Sequence, residues 1–125
     1  VIIDWHSHHI RTEEAKAFFA QMAAKYKDVP NIIYEIFNEP VDDSWEALKA
    51  YSEEIIKTIR AEGAQNLILV GTSHWDQDIH LPADNPIIGY RPCYPTDTVV
   101  FHPFQPFAQK KPWLLLCGYG GYANQ

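Results

Sequence analysis

The stretch NIIYEIFNEP, residues 31–40, decides how the chain is read. Apolar residues run from Ile32 to Phe37 with only Glu35 between them, which predicts a strand over 31–38 buried as the strands of a parallel sheet are. It closes on residues of another kind, Asn38, Glu39 and Pro40. Pro40 disfavours helical backbone at Glu39, so the strand stops there and leaves a carboxyl group and an amide at its carboxyl end. In parallel α/β folds that end is where ligands sit.

Working outward, VIIDWH (1–6) and NLILVG (66–71) have the same character and predict two more buried strands. Between the first two, Thr12 reads as an N-cap followed by Glu13 and Glu14. Ala15, Phe18, Phe19, Met22 and Tyr26 then recur at helical spacing, and Pro30 closes the connection. Between the second and third, Asp43 with Glu46 forms a capping box. Trp45, Leu48, Tyr51, Ile55 and Ile59 mark the inner face of a helix that stops at Gly63. Strand, helix, strand, helix, strand is the pattern of parallel βαβ units, so the class is α/β.

Beyond about Tyr90 the character changes. Residues 91–125 hold five of the nine prolines, both cysteines and a single acid, Asp97. TDTVVF (96–101) and WLLLC (113–117) fit strands, but Pro103, Pro106 and Pro112 break the interval where a crossover helix belongs. The expected organisation is therefore 1–90 as central βα units and 91–125 as a divergent or frame-shifted tail of the same domain. Whether Cys93 pairs with Cys117 is not fixed by sequence.

The 125 residues are 46% hydrophobic and 14% aromatic, enough for one modest domain with a core. A net charge of −6, with ten scattered Lys and Arg, argues against binding a nucleic-acid phosphate backbone, so no nucleic-acid partner is expected. No apolar run approaches the roughly 20 residues that cross a bilayer, and no membrane partner is expected either. The chain begins inside a strand, with neither an initiator Met nor a signal-peptide pattern, and so reads as a piece of a longer protein.

At the three strand ends stand Trp5 and His6; Asn38, Glu39 and Pro40; and Gly71, Thr72, Ser73, His74 and Trp75. A carboxyl group, an amide, an imidazole and tryptophans on one rim suit a carbohydrate. Aromatic faces stack on sugar C–H faces, and short polar side chains take up the hydroxyls.

VIIDWH, NIIYEIFNEP and NLILVGTSHWDQD, in that order, resemble glycoside hydrolase family 5, the cellulase-type (β/α)8 TIM barrels, over about residues 1–90. The resemblance implies three to five central parallel strands with flanking helices. It also implies a retaining β-glycosidase of endo-β-1,4-glucanase type that uses no cofactor and no metal. Glu39 then corresponds to the general acid/base, and Asn38 to the residue binding the sugar hydroxyl next to the scissile bond. His6 and Trp5 fall on the substrate side, Trp75 lines the cleft, and His102 in FHPF faintly matches a His-x-Tyr strand. The partner implied is a β-glucan such as cellulose, and the location implied is secreted or extracellular. A retaining enzyme needs a second carboxyl group as nucleophile. No glutamate follows Glu62, so the nucleophile is absent from the chain and the piece alone is expected to be inactive.

Three other readings stand beside this one. A β-mannanase of the same fold would use the same acid/base. A zinc-dependent amidohydrolase-like enzyme would take Asp4, His6 and His8 as ligands, although that leaves Asn38-Glu39-Pro40 unexplained. A non-catalytic carbohydrate-binding remnant would keep the rim without turnover. On the preferred reading Glu35 pairs inside the strand, Trp45 is core, and Asp76 and Asp78 are solvated loop acids. His8 and His9 follow the strand as loop residues. Half a barrel also bares sheet edges, so the piece is expected either to self-associate or to fold poorly.

Overall fold

The computed structural model describes residues 1–76, 78, 80–87, 90–93, 98–103 and 114–117. The first three strands are β1 (Ile2–Asp4), β2 (Ile33–Glu35) and β3 (Leu67–Val70). They are joined by α1 (Thr12–Tyr26) and α2 (Trp45–Ala61). All three strands are parallel, with Ile3 level with Tyr34 and Tyr34 level with Ile68. The α/β class and the βαβ order are as the periodicity predicts.

Side chains alternate across these strands, which separates the two faces of the sheet. Tyr34 and Ile68 are fully buried, and Tyr34 meets the Phe19 ring of α1 edge-on at 6.1 Å. From α1 this core takes Ala15, Phe19 and Ala23, four residues apart; from α2 it takes Leu48, Tyr51, Ile55 and Ile59 among others. Asp4, Glu35 and Leu69, level with one another one position later, point to the opposite face. That face carries the chemistry.

β1 and β3 are shorter than the expected 1–6 and 66–71, and three further boundaries differ from expectation. β2 spans Ile33–Glu35 rather than 31–38, because the chain bends at Phe37 and Asn38 to bring Pro40 under the β3 exit. Thr12 is the first helical residue of α1, and the capping position, Arg11, makes no side-chain cap. At α2 the cap is Ser44 rather than Asp43, its hydroxyl accepting from the Ala47 amide at 3.3 Å. Gly63 follows α2 at φ 83°, a left-handed position where glycine carries no Cβ penalty.

Beyond residue 90 the strands are β4 (Tyr90–Cys93), β5 (Thr98–Pro103) and β6 (Leu114–Cys117), giving a sheet of order β1-β2-β3-β6-β5-β4. β6 lies parallel to β3, so four strands are parallel, within the expected range. β4 and β5 are antiparallel, which the barrel pattern did not predict. Only residues 94–97 separate them, and a parallel crossover needs about a dozen residues or more. β5 also stands between β4 and β6, opposing Cys93 with Val100 and Cys117 with Thr98. The Cα atoms of the two cysteines are thus two strand spacings apart and offset by two residues along β5, roughly 12 Å, beyond the roughly 7 Å over which a disulfide closes.

Candidate functional site

The carboxyl ends of β1, β2 and β3 form one rim, stitched by backbone. Trp5 N–H donates to Glu35 O at 3.0 Å, Ile36 N–H to Leu69 O at 3.2 Å, and Asn38 N–H back to Trp5 O at 3.3 Å. The Asn38-Glu39-Pro40 bend therefore hangs directly from the end of β1. Asn38 is half-buried, Pro40 is buried, and Glu39 faces solvent. The partial burial expected of an acid/base is not present at Glu39.

His6 lies at the same end, exposed, with Nδ1 2.9 Å from Asp4 Oδ2. A carboxylate on Nδ1 orients the ring and leaves Nε2 outside that bond. Trp5 is half-buried and packs on Phe18, with ring centroids 5.4 Å apart. Its indole therefore does more packing than the reading of it as a sugar contact assumed. Ser7 ties the following loop, its hydroxyl donating to His9 O at 2.7 Å. Trp5, His6, Ser7, His8, His9, Arg11 and Glu14 line an open cavity of about 410 Å³ beside it.

The third side of the rim is the turn after β3, Ser73–Asp76. His74, Trp75 and Asp76 have φ of 52°, 56° and 63°, three consecutive non-glycine residues in the left-handed region. Such backbone costs roughly 1–2 kcal/mol per residue and persists only where other contacts hold it. The holding contacts run to the Glu39 side: Trp75 N–H to Pro40 O at 2.8 Å, His74 N–H to Val41 O at 3.2 Å, and Ser73 Oγ to Asp43 O at 2.7 Å. Trp75 is left 50% exposed, as a stacking residue should be.

Asp76 is the residue that sequence reasoning missed. Read as a solvated loop acid, it is instead folded under its own turn, where Oδ1 accepts from Thr72 N–H at 2.8 Å. Burial, with Glu35 and Glu39 nearby, pushes its carboxyl up to about 7, against the pull of that hydrogen bond. Asp78 instead pairs with His74 Nδ1 at 2.5 Å. Glu35 is corrected too: its carboxylate has no hydrogen-bond or ion-pair partner among the described residues. Burial foremost, then Asp4 and Glu39, raise its pKa, while His6 opposes them. The signal for Asp76 in the sequence is Gly71-Thr72 followed four residues later by an acid. It gains meaning only once the turn is known to be left-handed.

His102 does not join this rim. β5 runs antiparallel to β6, and Phe101 is level with Leu114 at the amino end of β6, which places His102 toward the far end of the sheet. Its side chain lies outside the described residues. Trp45 is core as expected, 3% exposed, with Nε1 donating to Asn85 O at 2.8 Å. The zinc reading is not favoured. Asp4 and His6 bond each other, the His8 ring stands edge-on to His6 at 5.9 Å, and among the described residues no three His, Cys, Asp or Glu are grouped to hold an ion.

A parallel α/β sheet that gathers a glutamate, an asparagine, an imidazole and an exposed tryptophan at its carboxyl rim belongs with the barrel glycoside hydrolases. Comparison with known proteins makes this specific. The family model described as Cellulase (glycosyl hydrolase family 5) matches residues 1–114, and the chain belongs to that family. Endoglucanase A of Evansella cellulosilytica is 50% identical over 93 residues, covering 68% of this chain and 19% of the relative. Endoglucanase Z of Dickeya dadantii is 46% identical over 89 residues, covering 69% of this chain and 21% of the relative. The catalytic domain of Thermobifida fusca endoglucanase Cel5A superposes with a TM-score of 0.65 at 36% identity, covering 70% of this chain and 33% of that one. The chain thus spans about a fifth of the length of the curated relatives it matches.

Proposed function

We propose that this chain carries the acid/base side of a retaining endo-β-1,4-glucanase acting on a β-glucan such as cellulose. The observation that supports it best is the Asn38-Glu39-Pro40 bend, hung from β1 at Trp5 O and clasped to the β3 exit at Trp75 N. This puts a carboxyl group open to solvent between an imidazole and an exposed indole. The glucan preference draws on the relatives. Several are endoglucanases, and the Thermobifida fusca enzyme is also known in complex with cellotetraose.

On this reading Glu39 gives its proton to the leaving glycosidic oxygen and later takes one from the attacking water. Asn38 hydrogen-bonds the hydroxyl beside the scissile bond, and His6, oriented by Asp4, takes a neighbouring hydroxyl. Trp75 offers a face to a sugar ring. The nucleophile must stand about 5–5.5 Å from Glu39 and comes from outside this chain, since no glutamate follows Glu62. Secretion fits a polymeric substrate and rests on the family alone.

The test is hydrolysis of cellopentaose and of soluble β-glucan by the purified 125-residue chain, alone and with Glu39→Gln. Little or no turnover is expected, with retention of the chain on insoluble cellulose. Robust turnover abolished by Glu39→Gln would keep the acid/base assignment and sink the need for a nucleophile from elsewhere. Robust turnover that survives Glu39→Gln would sink the assignment itself.

A further inference from the structure

We propose that Asp76 is a positioning residue for the rim: by filling the space above Gly71 and holding Thr72, it locks the left-handed turn that sets Trp75 and the Glu39 bend against each other. This rests on the reading that Trp75 and Glu39 flank a sugar cleft. Two independent features of the packing carry it. A Cβ added at Gly71 would lie 2.5 Å from Asp76 Oδ1, 2.8 Å from Pro40 Cδ and 3.2 Å from Phe37 O. The Asp76 carboxylate and the Pro40 ring therefore meet over one glycine.

The second feature is closure. Asp76 N–H donates to Thr72 O at 3.1 Å while Asp76 Oδ1 accepts from Thr72 N–H, a reciprocal pair across four residues. Inside that loop lie the two amides that reach Pro40 and Val41. Without the carboxylate the turn keeps its backbone bonds, Ser73 Oγ and the His74–Asp78 pair, but loses the one side-chain acceptor that ties Thr72 N–H and fills the space above Gly71. Substrate contact is not part of the role, because the carboxylate faces backbone.

The position also makes the lock responsive to pH. Glu35 of β2 and Glu39 of the bend face Asp76, and its own turn brings His74 and Asp78, which pair with each other. Ionisation of Asp76 is therefore opposed by burial and by the neighbouring Glu35 and Glu39, although it strengthens the bond from Thr72. Asp76→Asn keeps an oxygen acceptor and removes the charge, whereas Asp76→Ala removes both.

The test uses the 125-residue chain without sugar, so its result is separable from that of the cleft reading. Emission assigned to Trp75, by difference from Trp75→Phe, is followed from about pH 5 to pH 9. Exchange of the His74 and Trp75 amides is measured alongside. The wild type is expected to shift with a midpoint near 7. Asp76→Asn should hold the acid-side emission at every pH with both amides still protected. Asp76→Ala should speed exchange of those two amides about tenfold or more while α2 amides stay protected. Two results overturn the proposal: a pH shift in Asp76→Asn equal to that of the wild type, or normal protection of both amides in a folded Asp76→Ala. If Asp76→Ala does not fold, Asp76→Asn alone decides.

Discussion

At the scale of single residues, the rim is built by exclusions as much as by contacts. Gly71 has no side chain because Asp76, Pro40 and the Phe37 carbonyl already occupy its Cβ direction. Gly71→Ala should therefore destabilise the chain by about 1–3 kcal/mol, read as a lower denaturation midpoint at unchanged slope, because the atoms in the way include backbone and a proline ring that cannot swing away. Asp76 gives a second prediction whose sign follows from linkage. Burial lifts its folded pKa to about 7 from the ordinary 3.8. Below that lower value both states hold the proton. Between the two, the unfolded chain ionises while the folded one does not, so stability falls as pH rises and levels off above about 7. Asp76→Asn should thus be more stable than the wild type at pH 8 and less so at pH 4. After allowance for the part of the group that meets solvent, the change across that window is on the order of 1–2 kcal/mol. Urea melts at the two pH values measure it.

At the scale of elements, helices and parallel strands were legible because periodicity and burial say the same thing. Phe19, Leu48, Ile55 and Ile59 fall where spacing puts them, and all are buried. The start of α2 was legible only to within a residue, since Asp43 and Ser44 are both good caps and sequence does not say which one leaves the helix. The structure chooses Ser44, so Ser44→Ala should cost about 1 kcal/mol, a thermal shift of a few degrees, while Asp43→Ala should cost little. Equal losses would undo the assignment. The NEP bend was legible for a local reason, the effect of Pro40 on its neighbour. Asp76 was not, because its role depends on left-handed backbone at three residues and on Pro40 thirty-six positions earlier. The antiparallel pair of β4 and β5 was missed because Tyr90–Cys93, with Arg91 and Pro92 at its centre, carries no apolar strand signal.

At the scale of the whole molecule, the sheet is open, with β1 at one edge and β4 at the other. Among the described residues the β1 edge is unpaired, and it is apolar, Val1 being 75% and Ile2 53% exposed. Beside it, Asp4 Oδ1 and Trp5 Nε1 are buried without a hydrogen-bond partner among the described residues, each costing about 1–3 kcal/mol until something pairs with it. An extended apolar edge with unspent backbone donors and acceptors is a template for another strand. A second copy of this chain can supply that strand from its own β1. The chain should therefore sediment as a concentration-dependent dimer or larger species, and Ile2→Lys, which sets a charge on the edge, should shift it toward monomer without loss of helix by circular dichroism. Since the same substitution leaves Glu39, Asn38 and Trp75 untouched, cellulose retention should persist in the monomer if the rim alone binds sugar. Retention lost together with association would mean instead that the cleft is completed across two copies.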